Sequence, residues 1–140
     1  MILLDTNVIS ALMLSTPDPV ATAWLDAQAP SSLWTTSITV FEVRYGLARL
    51  PAGRRKRDLL AAFALVLSED LEHRIVDFDS GAAEAAATLA VNREIAGRTV
   101  DLRDTLIAGI AINRRASIAT RNVRHFEDLP VRVLNPWDVT

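Results

Sequence analysis

The sequence predicts an α/β fold, a central and mostly parallel sheet flanked by helices, formed as a single domain over residues 1–140. Three observations predict it. Short apolar runs alternate along the chain with longer segments of helical period. The early runs, ILL (2–4) and SLWTTS (32–37), read as strands buried on both faces. A chain of 140 residues that is 50% hydrophobic can bury one real core without disulfide staples.

Residues 2–4 open as a buried strand that ends on Asp5. A charge beside a core costs free energy unless it is paired, so Asp5 either caps the next helix or holds a cation. Residues 7–14 (NVISALML) read as a helix stopped near Pro17 and Pro19. Residues 20–28 read as a second short helix, with Asp18 as a cap and Pro19 at a permitted first position. SLWTTS is strand two. TVFEVRYGLARL (39–50) follows as a helix in which Phe41, Tyr45 and Ala48 repeat at helical spacing, and Pro51 and Gly53 break it. Residues 54–68 form another helix, basic at its start (RRKR) and apolar after. RIVDF (74–78) is strand three. Asp79 or Ser80 caps an alanine-rich helix that runs to about Ala96, with Gly97 as its stop. DLRDTLIAGIAINRR (101–115) is a helix whose closing arginines suit the negative end of its dipole. SIATR (117–121) is strand four, and VRVLN (131–135) is a last short strand before Pro136 and Trp137.

Composition excludes several chemistries. There is no cysteine, hence no disulfide framework, thiol nucleophile or Cys-ligated zinc. The only histidines are His73 and His125, and there is no G-x-S-x-G, which argues against a Ser–His–Asp hydrolase. Neither phosphate-binding glycine motif occurs. Lys56 is misplaced for a phospho-receiver domain, and D-T-N after strand one is not the D-x-D of a dehalogenase-type phosphatase. Met1 leads into strand-like sequence without a basic leader, so no signal peptide is expected. The runs AAFALVL (61–67) and LIAGIAI (106–112) are too short to span a bilayer. A soluble cytoplasmic protein with no membrane partner is expected. Net charge is −2, yet every basic residue except Lys56 is arginine. The planar fork of arginine suits phosphate, and a GC-rich genome accounts for the bias equally well.

In parallel sheets, ligands bind at the carboxyl ends of the strands. Asp5 follows strand one, Glu42 lies one turn into the helix after strand two, and Asp101 and Asp104 start the helix before strand four. Thr120, Arg121 and Asn122 follow strand four. Glu42 between Phe41 and Val43, and Asp104 on a face with Ile107, Ala108 and Ala111, both sit at the margin of a core. Clustered carboxylates raise one another's pKa, and a hard divalent cation such as Mg2+ or Mn2+ resolves that with oxygen ligands. Plainer readings stand beside this one. Asp5 and Asp101 are good helix caps, and Asp101 with Asp104 has the spacing of a capping box. Glu42 has Arg44 and Arg49 within reach along its helix, Asn122 suits a turn, and His125 reads as a loop residue.

LLDTNVIS (3–10), TTSITVFEVRYGL (35–47), RDTLIAGIA (103–111), IATRNVRHFEDL (118–129) and VLNPWD (133–138) together resemble the PIN-domain ribonucleases, and most closely the VapC-type toxins of bacterial toxin–antitoxin pairs in the FitB-like branch. The match covers the whole chain in order. The resemblance implies a PIN-like fold and an endoribonuclease in which Asp5, Glu42 and Asp104 hold Mg2+ or Mn2+. It implies that Thr120 orients the first aspartate and that Asn7 lines the site. At the fourth acidic position the chain departs from the family, with Asn122 and His125 where Asp is common, and Asp101 is a candidate for part of the missing charge. Arg121 and Arg124 are candidates for RNA phosphate contacts. The resemblance further implies cleavage to 5′-phosphate and 3′-hydroxyl ends, a small cognate antitoxin and a homodimer, with residues 54–70 as the antitoxin or dimer face. The departure at 122 and 125 keeps a rival open, a catalytically weak binding subunit of a DNA-binding repressor complex formed with the antitoxin.

Overall fold

A computed structural model describes residues 1–138. Five parallel strands, β1 (Ile2–Leu4), β2 (Leu33–Thr36), β3 (Ile75–Val76), β4 (Ser117–Ala119) and β5 (Val133–Leu134), form one sheet in the order β3-β2-β1-β4-β5. β1 is central: Leu3 is in register with Trp34 of β2 on one side and with Ile118 of β4 on the other. The chain builds outward to β3, then returns to the other side of β1 for β4 and β5.

Six helices cover the two faces: α1 (Thr6–Leu12), α2 (Pro19–Asp26), α3 (Ser37–Ala48), α4 (Arg54–Leu65), α5 (Ser80–Ile95) and α6 (Leu102–Arg114). Successive side chains of a strand point to opposite faces, and β1 shows the consequence. Leu4 joins a core with Val8, Ile9, Leu25, Val43 and Phe63 on the α1–α4 side, while Leu3 joins Ile107, Ile110, Ile118 and Phe126 on the α5–α6 side. Phe63 and Phe126 are fully buried, one in each layer, and side chains of this kind each contribute about 1.5–3 kcal/mol on burial.

Most helices start on a side-chain cap, which satisfies otherwise orphaned backbone N–H groups. Asp5 caps α1, Asp18 caps α2 ahead of Pro19, Thr36 caps α3, Asp79 caps α5 and Asp101 caps α6. Of the two residues the sequence offers as a cap for α5, Asp79 is the one used. α4 starts without a side-chain cap at Gly53, and its first turn is basic. It continues past Leu65 as a wider π-helical turn, Val66–Asp70, so the helix expected over 54–68 changes its winding near its end. The outer strands are shorter than the expected runs 74–78 and 131–135, because pairing is confined to the residues that face a neighbour in register.

The helical repeat Phe41–Tyr45–Ala48 lies on the outside of α3. Phe41 is 54% and Tyr45 48% exposed, and their rings stack on each other at 5.8 Å. The buried stripe is Thr39, Val43 and Leu47. Among the described residues no helix is long and apolar enough to cross a membrane.

Candidate active site

The carboxyl ends of β1, β2 and β4 meet at one open groove of about 590 Å³, lined by Asp5, Asn7, Glu42, Asp104, Arg121 and Asn122 among others. Asp5 sits at its floor and is buried. Its Oδ1 accepts from the Thr6 backbone N–H at 2.8 Å, and its Oδ2 accepts from the Thr120 hydroxyl at 2.8 Å and from Asn7 Nδ2 at 3.4 Å. Thr120 is itself fully engaged: its oxygen accepts from Asn7 Nδ2 at 3.2 Å and from the Asn122 backbone N–H at 3.0 Å while its proton goes to Asp5. Asn7 Oδ1 accepts from the Arg121 backbone N–H at 3.0 Å. Asp5 is therefore both a helix cap and a groove carboxylate.

Glu42 reaches the groove from the second turn of α3. It makes no ion pair with Arg44 or Arg49, which lie instead over the rings of Phe63 and Tyr45. Its Oε1 is buried without a hydrogen-bond partner, as is the hydroxyl of Thr6. Burial, and after it the charge of Asp5, raises the Glu42 pKa above its ordinary value. Burial likewise raises Asp5, against the hydrogen bonds from Thr120 and Thr6.

Asp104 stands in the first turn of α6, where its side chain does not close a capping box. Its Oδ2 lies 2.7 Å from His125 Nδ1. Burial raises the Asp104 pKa and the His125 hydrogen bond opposes that rise. The loop carrying His125 is held by Arg93, a buried residue in the last turn of α5. Its guanidinium donates to both carboxylate oxygens of Asp128 at 2.9 Å, to the His125 carbonyl at 2.8 Å and to the Thr105 hydroxyl at 2.8 Å. Arg93 and the His125–Asp104 contact are absent from the sequence reading. The partners of Arg93 lie 12 to 35 residues away in the chain, beyond any local signal.

Asp101 is half exposed at the start of α6, where it accepts from the Arg103 N–H at 2.8 Å, and it is not among the groove-lining residues. Asn122 lines the groove, and its carbonyl accepts from the His125 N–H in a short turn. Arg121 lines the groove and Arg124 does not.

Among the described residues no three His, Cys, Asp or Glu side chains converge into a metal-holding arrangement as they stand. Asp104 is drawn to His125, and both oxygens of Asp5 accept hydrogen bonds within the protein. The donor set still fits a hard divalent cation. It is all oxygen, three carboxylates with raised pKa values face one groove, and Glu42 Oε1 is an orphaned buried acceptor that a cation would satisfy.

A five-stranded parallel sheet with acidic residues gathered where β1 meets β2 and β4 defines the class: the chain belongs to the PIN-domain family, whose pattern it matches over residues 2–131. Within that family it groups with VapC- and FitB-named proteins. It is 36% identical over 138 residues to VapC ribonuclease Y4jK of Sinorhizobium fredii, covering 99% of both chains. It is 34% identical to toxin FitB of Neisseria gonorrhoeae, covering 98% of this chain and 99% of the relative. The structure of FitAB bound to an IR36 DNA fragment superposes with a TM-score of 0.88 at 33% identity, covering 100% of this chain and 98% of that one.

Proposed function

We infer that the chain is a Mg2+- or Mn2+-dependent endoribonuclease, the toxin of a type II toxin–antitoxin pair, acting on RNA in the cytoplasm. The observation that carries this reading is the convergence of Asp5, Glu42 and Asp104 on one open groove, with Glu42 Oε1 buried and unpartnered. The ribonuclease and toxin names of the relatives support it. The binding-only rival rests on Asn122 and His125 at the fourth acidic position, and the ribonuclease names of the relatives do not favour it.

Asp5, Asp104 and Glu42 would hold the ion. When bound, it would supply Lewis-acid polarisation of a phosphodiester oxygen and a more acidic water. Thr120 and Asn7 fix the Asp5 carboxylate in one orientation. A groove carboxylate oxygen not spent on the ion would accept a proton from the attacking water. That proton transfer lets the water oxygen bond to phosphorus while the bond to the 3′ oxygen breaks and that oxygen takes a proton from solvent, giving 5′-phosphate and 3′-hydroxyl ends. Arg93 holds the loop that carries His125.

A cognate antitoxin and a homodimer belong to the same reading. Phe41 and Tyr45 on α3, with Leu60 and Leu65 on α4, are large apolar side chains left exposed, and such residues mark partner surfaces when they cluster.

The test is a transcriptome-wide map of new RNA 5′ ends after induction of the wild type and of Asp104→Asn in bacteria. New 5′-phosphate ends at a few sites, absent with the variant, are expected. Identical maps from two soluble proteins would overturn the nuclease reading.

A further inference from the structure

The rim of the acidic groove carries a stacked pair that metal binding does not use. Arg121 Cζ lies 3.8 Å from the centroid of the Trp137 ring, in contact with the ring face and well within cation–π range. Trp137 is anchored. Its Nε1 donates to Asp18 Oδ2 at 3.1 Å, its backbone N–H donates to Asn135 Oδ1 at 3.0 Å, and its ring packs against the α1–α4 core. Arg121 is anchored at its backbone by Asn7, the residue that also touches Asp5. Both members of the stack line the groove with the three carboxylates.

An exposed arginine ordinarily spends conformational entropy when it binds something. Here the indole already holds the guanidinium, so that cost is reduced in advance. Arg121 is exposed, and among the described residues its side chain makes no salt bridge. Asp18, the acceptor for Trp137 Nε1, feels the Arg121 charge without forming a salt bridge to it, and Arg121 lines the groove. A groove floored by carboxylates repels a phosphate chain, so a fixed cation at its rim is where a strand gains attraction. A guanidinium plane also stacks on a nucleobase, provided that base is not already paired and stacked in a duplex.

We propose that Arg121, held over the Trp137 ring, is a nucleotide subsite of the groove: its outer face takes an unpaired nucleobase and its edge takes a phosphate oxygen of the same strand. The ligand class is single-stranded RNA rather than duplex. This rests on the ribonuclease reading and adds to it the group that seats the strand.

The experiment is fluorescence anisotropy with the full chain in EDTA, which prevents cleavage, and an end-labelled mixed-sequence RNA of about 12 nucleotides, single-stranded or annealed to its complement. The variants are Arg121→Lys, Arg121→Ala and, as a charge control at the opposite end of the sheet, Arg132→Ala. Thermal melts confirm that each is folded. Loss of one base–platform stack weakens single-strand binding roughly tenfold. Arg121→Lys keeps the charge but loses the plane, so a loss close to that of Arg121→Ala is expected, with Arg132→Ala unchanged and wild-type duplex binding weaker than single-strand binding. Wild-type affinity in Arg121→Lys would overturn the stack and leave only a point charge. Equal losses in Arg132→Ala would overturn the subsite as generic attraction. A wild-type chain that binds neither RNA, together with unchanged 5′-end maps on induction, would overturn the ribonuclease reading itself.

Discussion

His125 Nδ1 and Asp104 Oδ2 stand 2.7 Å apart, so the carboxylate offered by α6 is already engaged by an imidazole. A cation and the imidazole compete for the same oxygen. His125→Ala removes the competitor, and a hydrogen bond to a charged group is worth about 1.5–3 kcal/mol. Mn2+ binding by calorimetry is expected to tighten about tenfold in this variant. Weaker binding would show instead that the pair aims Asp104 at the ion.

Asp5→Asn separates the two duties of that residue. Asparagine caps a helix as well as aspartate does, and the substitution removes a buried charge. The asparagine's amide nitrogen would stand opposite two donors, the Thr120 hydroxyl and Asn7 Nδ2, so the gain from removing the charge is offset. An ion at a hundredfold over its Kd stabilises the chain that binds it by about 2.7 kcal/mol. Millimolar Mn2+ should therefore raise the wild-type melting temperature by several degrees and leave Asp5→Asn unmoved. Equal rises in both would exclude Asp5 as a ligand.

The Arg93–Asp128 pair is two-pronged and, on the arginine side, buried. Asp128→Ala leaves a guanidinium inside the protein without its anion. Breaking a buried pair this way costs roughly 3–5 kcal/mol, and with the Asp128 side chain 27% exposed the low end of that range is expected in urea denaturation.

The same pair sets an acid limb. Hydrogen bonding to Arg93 holds the Asp128 carboxyl below its ordinary value, so the folded chain keeps it ionised to lower pH than the unfolded chain does. The stabilisation is complete above the unfolded value of about 4 and is lost as the pH falls through the lower folded value. Urea midpoints of wild type and Asp128→Asn should converge below about pH 4. A constant gap down to the lowest pH would remove this carboxylate from the acid response.

Gly109 is the point of closest approach between α6 and α5. A Cβ there would lie 2.6 Å from the Ala82 carbonyl oxygen and 2.6 Å from Ala86 Cβ. A backbone carbonyl cannot turn aside, so α5 has to move. Overpacking of this kind costs about 1–3 kcal/mol, more than the helix propensity that alanine gains. Gly109→Ala should lower the urea midpoint, and a wild-type midpoint would show that the two helices have slack.

The strand ends and helix starts were legible because each has a local signature. Asp18, Asp79 and Asp101 stand where capping residues belong, Asp5, Glu42 and Thr120 follow strand ends closely, and Asp104 opens the helix that leads into β4. The contacts that finish the site have no such signature. Period alone does not say which stripe of a helix turns inward, and α3 buries Thr39, Val43 and Leu47 rather than Phe41 and Tyr45. His125 meets a carboxylate 21 residues earlier, and Arg93 is buried only because the loop through Asp128 folds over it. Those partners are chosen by tertiary packing, which a single sequence does not display.

The hydroxyl that orients Asp5 lies 115 residues farther along the chain. β1, the first strand made, waits between two neighbours, and one of them is the next-to-last strand. A polypeptide growing on the ribosome therefore carries Asp5 and Glu42 well before the strand that completes their surroundings is made. The groove needs Thr120 and a β4 paired beside β1, so its last pieces are encoded near the end of the chain.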